Sequence, residues 1–142
     1  MSATAFIYQV AVPTPLQRTF DYLAAPDMAT LTPGTRVRVS FGKREIVGVI
    51  MGQSARSELP LHRLKRVGRA LDAQPLLAPS LLNLLVWASD YYHYPIGEVI
   101  HTALPARLRQ GGAAVTVGIK VWTLTSKGQV VDREALKRAS AR

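Results

Sequence analysis

Between Arg36 and Phe41 the chain alternates strictly, with Val37, Val39 and Phe41 interleaved among Arg36, Arg38 and Ser40. A period of two sends alternate side chains to opposite faces of a strand, so one face packs and the other carries two arginines. The preceding Pro33-Gly34 has the residue order of the central positions of a type II turn, and Gly42-Lys43-Arg44-Glu45 has hairpin-loop composition. Residues 46–51 supply the returning strand, with Gly48 marking a bulge or a close approach. Residues 5–12 predict another strand, stopped by Pro13-Thr14-Pro15, and residues 20–23 a short one. After a polar, proline-bearing loop over residues 53–61, residues 64–71 are expected to rejoin the sheet with Lys65, Arg66 and Arg69 on it.

From Pro79 the period becomes helical. Leu81, Leu84, Leu85, Ala88, Tyr91 and Tyr92 recur at helical spacing, and Leu82, Val86 and Trp87 widen the apolar face, which predicts a largely buried helix. The Trp87–Pro95 aromatic block is therefore read as scaffold. Pro95 stops this helix and opens a second, in which Ile96, Val99, Ile100, Ala103 and Leu104 form the apolar stripe up to Pro105. Beyond it, residues 107–114 have linker composition, residues 115–124 predict one strand followed by a Lys127-Gly128 turn, and residues 132–142 have helical propensity with few apolar positions. The fold class expected is α+β: a small twisted β-sheet or partly closed β-barrel followed by two helices, with a basic C-terminal extension.

A chain of 142 residues with 48% hydrophobic content suits one ordinary globular domain, or a small domain plus part of another. Its apolar runs are too short for a membrane span, and the N-terminus lacks the basic and apolar regions of a secretory signal, so the cytoplasm is the expected compartment. Without cysteine there is no disulfide, thiolate zinc site or cysteine nucleophile. His62, His93 and His101 do not form a metal-binding pattern, and no nucleophile-elbow motif links the serine, histidine and aspartate residues, so neither a metal nor an enzymatic activity is expected.

Eighteen basic residues against nine acidic ones give a net charge of +9, which points to a polyanionic partner. The excess is uneven. Residues 1–105 hold ten Lys/Arg and seven Asp/Glu, whereas residues 106–142 hold eight and two. Charge alone gives non-specific phosphate binding, so any selectivity must come from a shaped site. The segment Arg18-Thr19-Phe20-Asp21-Tyr22-Leu23, with the basic strand and glycine loop after it, sets a carboxylate and an aromatic ring beside cationic groups. That combination suggests a pocket for a nucleic-acid end. Asp21 would repel phosphate, so its partner there is a base donor or a hydroxyl. Arg36, Arg38, Lys43, Arg44 and Arg66, with Lys65, are candidates for contacts to a DNA backbone.

The order Val12-Pro13, Pro15-Leu16, Arg18-Thr19-Phe20-Asp21-Tyr22, then Gly34, Arg36-Val37-Arg38-Val39 and Phe41-Gly42-Lys43, resembles the start of the primosomal replication-restart helicase family, PriA. Further matches follow in register at Ser57-Glu58-Leu59-Pro60-Leu61, Leu64-Lys65, the stretch from Trp87 to Val99, and Ala103-Leu104-Pro105. The resemblance implies a DNA-binding domain over residues 1–105 that captures the 3′ end of the leading strand at stalled or branched forks. It further implies a linker over residues 106–114, and the truncated start of a winged-helix-like domain over residues 115–142. By the same resemblance the end-binding residues are Phe20, Asp21, Tyr22, Gly42 and Lys65. The partner implied is forked or 3′-ended DNA, with other primosome proteins meeting the rest of such a protein. No cofactor is expected, because the family's zinc and ATP sites need cysteines and a phosphate-loop motif that this sequence lacks. Two rival readings stand beside this one: an end-independent single-stranded nucleic-acid binder driven by the basic tail, and a protein-interaction module of a replication complex.

Overall fold

The computed structural model describes residues 6–131 except 27, 29, 116, 117 and 119. Five strands, β1 (Ile7–Ala11), β2 (Phe20–Leu23), β3 (Arg36–Phe41), β4 (Arg44–Ser54) and β5 (Val67–Ala70), form one sheet in the order β2-β1-β4-β3-β5. All neighbouring strands run antiparallel. The two edges of this sheet curl toward each other. The Leu23 N–H donates to the Lys65 carbonyl at 2.9 Å, and Leu23 and Arg66 form a parallel bridge, so β2 meets the residues entering β5. The α+β expectation of a partly closed barrel followed by helices holds.

Local chemistry sets the turns. Gly34 has φ 93° and the Thr35 N–H bonds back to the Thr32 carbonyl at 3.3 Å, as a turn centred on Pro33-Gly34 requires. The β3–β4 hairpin closes with two residues, Gly42 and Lys43, and the φ of 59° at Gly42 places glycine at the first central position. β4 runs longer than its sequence pattern suggests. Its extra residue Met51 is bulged opposite Gln9 and Val10, while Gly48 serves as a close approach, packed against Val10 and Ala11.

The curl encloses one core: Tyr8, Val10, Tyr22, Val37, Val39, Ile50 and Val67 point inward from all five strands. On the outer face, Ala11 and Val49 meet Leu82 and Leu85 of α1 (Pro79–Tyr92) and Ile100 of α2 (Ile96–Ala103). A Cβ on Gly97 would overlap the Val12 carbonyl, so α2 rests with its backbone directly on the end of β1. α1 ends at His93, which takes the left-handed conformation at φ 51°, and buried Ser89 donates to the Tyr94 carbonyl at 2.6 Å across the turn into α2.

Three sequence-based expectations are corrected. α1 is not largely buried: only Leu82, Leu85 and Ser89 are, while Leu81, Leu84, Trp87, Tyr91 and Tyr92, and Tyr94 just beyond its end, are exposed. A helix apolar on nearly every side gives no unique stripe, and the stripe that packs lies one residue away from the Leu81–Leu84 register. The aromatic block is thus surface rather than scaffold, with Trp87 and Tyr91 stacked at 5.1 Å. Next, the start of the expected linker is a short helix, α3 (Ala106–Arg109), whose end is bound to the sheet by Arg36. Finally, among the described residues of 115–124 none is in a strand, and the turn at Lys127-Gly128 lies within a single helical turn, α4 (Ser126–Gln129). The helix expected over residues 132–142 lies outside the described residues. Among the described residues no helix is long and apolar enough to cross a membrane.

Candidate nucleic-acid interface

The two sheet edges meet at Leu23 and Arg66 but diverge on either side, and the gap between β2 and the β3–β4 hairpin holds a cavity of about 230 Å³. β2 contributes Phe20, Asp21 and Tyr22, β3 and its hairpin contribute Ser40, Phe41 and Gly42, and the chain before β5 contributes Ser57, Glu58 and Lys65. All five residues expected at an end-binding site therefore line one concavity, drawn from three distant stretches of sequence.

Period-two geometry separates their roles. Phe20 and Tyr22 turn toward the barrel interior, and Asp21 turns to the other face opposite Gln9. Tyr22 is only 4% exposed and its hydroxyl donates to the Ser40 carbonyl at 3.1 Å, so it forms the floor of the cavity rather than an open stacking platform. The accessible rings are Phe20 and Phe41, both half-buried and packed edge to face at 5.0 Å. Arg18 lies over the Phe20 ring at 5.4 Å, close enough for a cation–π contact.

Asp21 Oδ2 accepts a 2.6 Å hydrogen bond from Ser57 Oγ, which in turn accepts from the Leu59 N–H at 3.2 Å. Among the described residues Oδ1 has no hydrogen-bond partner, which leaves one carboxylate oxygen of a positioned side chain free to accept. Across the cavity Lys65 Nζ donates to the Gly42 carbonyl at 3.0 Å and lies 3.5 Å from Ser40 Oγ. The ammonium thereby holds the hairpin tip while keeping donor capacity to spare. A Cβ on Gly42 would meet nothing within 4 Å, so the space beside that backbone is open to a ligand.

Burial pushes the Tyr22 hydroxyl up from 10.0 to about 12. The folded chain keeps this proton in a range where the unfolded chain gives it up. The associated stability is thus fully present below pH 10 and is lost as pH rises through about 12. Tyr22→Phe should flatten this alkaline loss of stability, and melting temperatures measured from about pH 9 to 12 check it.

Comparison with known proteins now decides the family. The family described as 3′DNA-binding domain (3′BD), of PriA, matches residues 9–105. The chain belongs to that family. It is 37% identical over 134 residues to the replication restart protein PriA of Haemophilus influenzae, covering 94% of this chain and 18% of that protein. PriA of Buchnera aphidicola subsp. Acyrthosiphon pisum is 26% identical over 132 residues, covering 93% of this chain and 18% of the relative. PriA of Bacillus subtilis is 33% identical over 96 residues, or 66% of this chain and 12% of the relative. The chain thus spans less than a fifth of the length of these curated relatives.

The backbone-contact candidates of this 3′DNA-binding domain divide. Lys43 and Arg44 are exposed on the hairpin tip, and Arg66 is exposed with Nη1 donating to the Ala24 carbonyl at 2.9 Å. Arg38 is half-buried and donates from Nη2 to the Gln110 carbonyl at 3.2 Å. Arg36 is a correction: it is 0% exposed and cannot reach a phosphate. Its Nη2 and Nε bond Asp72 Oδ1 and Oδ2 at 2.6 and 2.9 Å, and Nη1 donates to the Leu108 and Gly112 carbonyls at 2.7 and 3.1 Å. Alternation along β3 shows that Arg36 and Arg38 share a face, but not that α3 covers one end of it. Phe41, Ser57, Arg18 and Arg63 also line the cavity, although sequence reasoning does not place them there. Arg18, Phe41 and Ser57 stand inside the motifs that carry the family resemblance, so a signal existed for those three. Among the described residues no group of three His, Cys, Asp or Glu side chains is placed to hold a metal ion.

Proposed function

We propose that this chain binds the 3′ end of DNA at stalled or branched replication forks, as the end-sensing part of a longer restart protein. The observation that carries this reading is the seam cavity, where Asp21 offers a free carboxylate oxygen beside two half-buried aromatic rings and a lysine. A terminal base packs against the accessible side of the Phe20–Phe41 pair, where contact with a ring serves every base alike and is worth ~1–3 kcal/mol. Asp21 accepts from the sugar hydroxyl or a base amine, Gly42 admits the nucleotide to its backbone, and Lys65 donates to the terminal sugar or the last bridging phosphate. Indifference to base identity is what a sensor of arbitrary fork sequences requires.

Discrimination between ends follows from charge. A 3′-hydroxyl can donate to Asp21, whereas a 3′-phosphate brings added negative charge against Asp21 and Glu58 on the same rim. Arg18, Arg63 and Lys65 on that rim offset the charge of the bridging phosphate that every strand carries. Positioning of a helicase motor, and meetings with other primosome proteins, are assigned to the remainder of a full-length relative. The cytoplasm, where replication forks lie, is the assigned place of action, and the binding step itself needs no cofactor.

Asp21→Asn should weaken binding of a 3′-hydroxyl strand roughly 10- to 100-fold, the range of one hydrogen bond to a charged group, and should narrow the preference over the 3′-phosphate strand. Equilibrium binding of matched forked and single-stranded oligonucleotides at two salt concentrations checks it. An unchanged preference in this variant would reject the pocket assignment. Equal binding of both ends by the unmodified chain, collapsing with salt, would reject end recognition altogether.

A further inference from the structure

On the outer face of β3, next to the seam cavity, lies a second concavity of about 390 Å³ lined by Arg38, Glu45, Gly68 and Arg69. Arg38 and Arg69 are direct cross-strand partners of the antiparallel β3–β5 pair, so both side chains stand on the same face. Like charges in that position oppose pairing unless an anion sits between them. Among the described residues neither arginine has a salt-bridge partner. Arg38 is bonded through Nη2 alone, and its Nε is buried with no acceptor. Gly68, bulged between Val67 and Arg69, sits close to β3, and a Cβ there would lie 3.0 Å from the Arg38 carbonyl oxygen.

The position of this pair relative to the end-binding cavity gives it a role. Ser40 lines that cavity and lies two residues beyond Arg38 on the same face, about 6.6 Å along the strand. Lys65 Nζ reaches Ser40 Oγ from β5's side. Residues 108–112 cover this face at its Arg36 end and stop at Arg38, which leaves the stretch from Arg38 to Ser40 open. Lys65, Arg38 and Arg69 therefore form a cationic row leading out of the cavity. A second neighbouring concavity, lined by Gln9, Arg18, Thr19, Asp21, Arg56 and Glu58, matches two guanidinium groups with two carboxylates and offers no net attraction.

We infer that Arg38 and Arg69 form a phosphate cradle, so that a strand whose terminus occupies the cavity leaves along β3 with an upstream backbone phosphate held between the two guanidinium groups. This assignment of the strand's path rests on the end-binding reading above. The cradle takes the phosphodiester of single-stranded DNA, and Glu45 at its edge tempers the attraction.

The test is binding by the 142-residue chain of a dinucleotide and of a single strand of about twelve nucleotides, both ending in 3′-hydroxyl, over a range of salt. Arg69→Gln alters an exposed side chain and spares the fold, and Arg38→Gln/Arg69→Gln removes the cradle. For the longer strand the double variant should bind more weakly, and the slope of log K against log salt should fall by about 0.7 for each phosphate no longer neutralised, with Arg69→Gln intermediate. Dinucleotide binding should not change, and Glu45→Gln should strengthen binding of the longer strand. An unchanged slope in Arg69→Gln and the double variant, or the same weakening produced instead by Arg56→Gln, would overturn the cradle. Failure of the unmodified chain to prefer a 3′-hydroxyl would overturn end recognition, while a reduced slope in the variants would still support the cradle as a phosphate site.

Discussion

Arg36→Ala should destabilise the domain by about 3–5 kcal/mol, because it removes one partner of a buried ion pair and leaves the other in place. Asp72, 7% exposed, would lose the guanidinium that pairs with both of its oxygens, and the carbonyls of Leu108 and Gly112 would lose their donor. Against the ~5–15 kcal/mol available to a typical domain, this loss is a large fraction of the total. Thermal unfolding should show a fall of roughly 10 °C or more, with unpacking of residues 106–112 visible as faster amide exchange. The double change Arg36→Met/Asp72→Leu separates charge from packing. If the single variant suffers from a stranded carboxylate, the double variant should recover much of the loss. A single variant as stable as the original chain would show that Arg36 does not hold the last turn to the sheet.

Gly97→Ala should cost ~3 kcal/mol, at the upper end for overpacking, since the obstacle is backbone rather than a side chain that can rotate away. The added methyl would fall on the Val12 carbonyl, at the point where α2 rests on β1. Relief requires α2 to lift, which withdraws Ile100 from its packing against Ala11 and Val49. Denaturant unfolding measures the loss. The β-barrel interior uses a separate set of side chains, so residual strand pairing at intermediate denaturant would show that the helices detach first. A substitution that leaves the midpoint unchanged would mean that α2 has room to shift.

Much of the architecture was legible where the signal is local. Phe20–Leu23 is bounded by its own composition, Pro33-Gly34 and Gly42-Lys43 specify their turns, and Pro95 separates two helices in the sequence as it does in the fold. What escaped depended on partners far along the chain. Arg36 alternates like a surface arginine, and only Asp72, 36 residues away, together with α3 makes it a core residue. α1 misled for the opposite reason: with leucine or an aromatic ring at half of its positions, spread around the helix, its period could not say which side would face Ala11 and Val49. The site divided along the same line. The family motifs placed Phe20, Asp21, Tyr22, Gly42 and Lys65 at one cavity, but that Tyr22 is buried while the Phe20–Phe41 pair is more open follows from barrel curvature.

The seam between Leu23 and Arg66 also orders events in time. The cavity takes residues from β2, from the β3–β4 hairpin and from the chain before β5, so no contiguous fragment of twenty or thirty residues contains it. During synthesis a ribosome releases Asp21 and Tyr22 long before Lys65, and the pocket is born only when the last edge of the sheet curls back to the second strand. A nascent chain therefore has no place for a DNA terminus, and end recognition arrives together with closure of the barrel rather than being built up piece by piece.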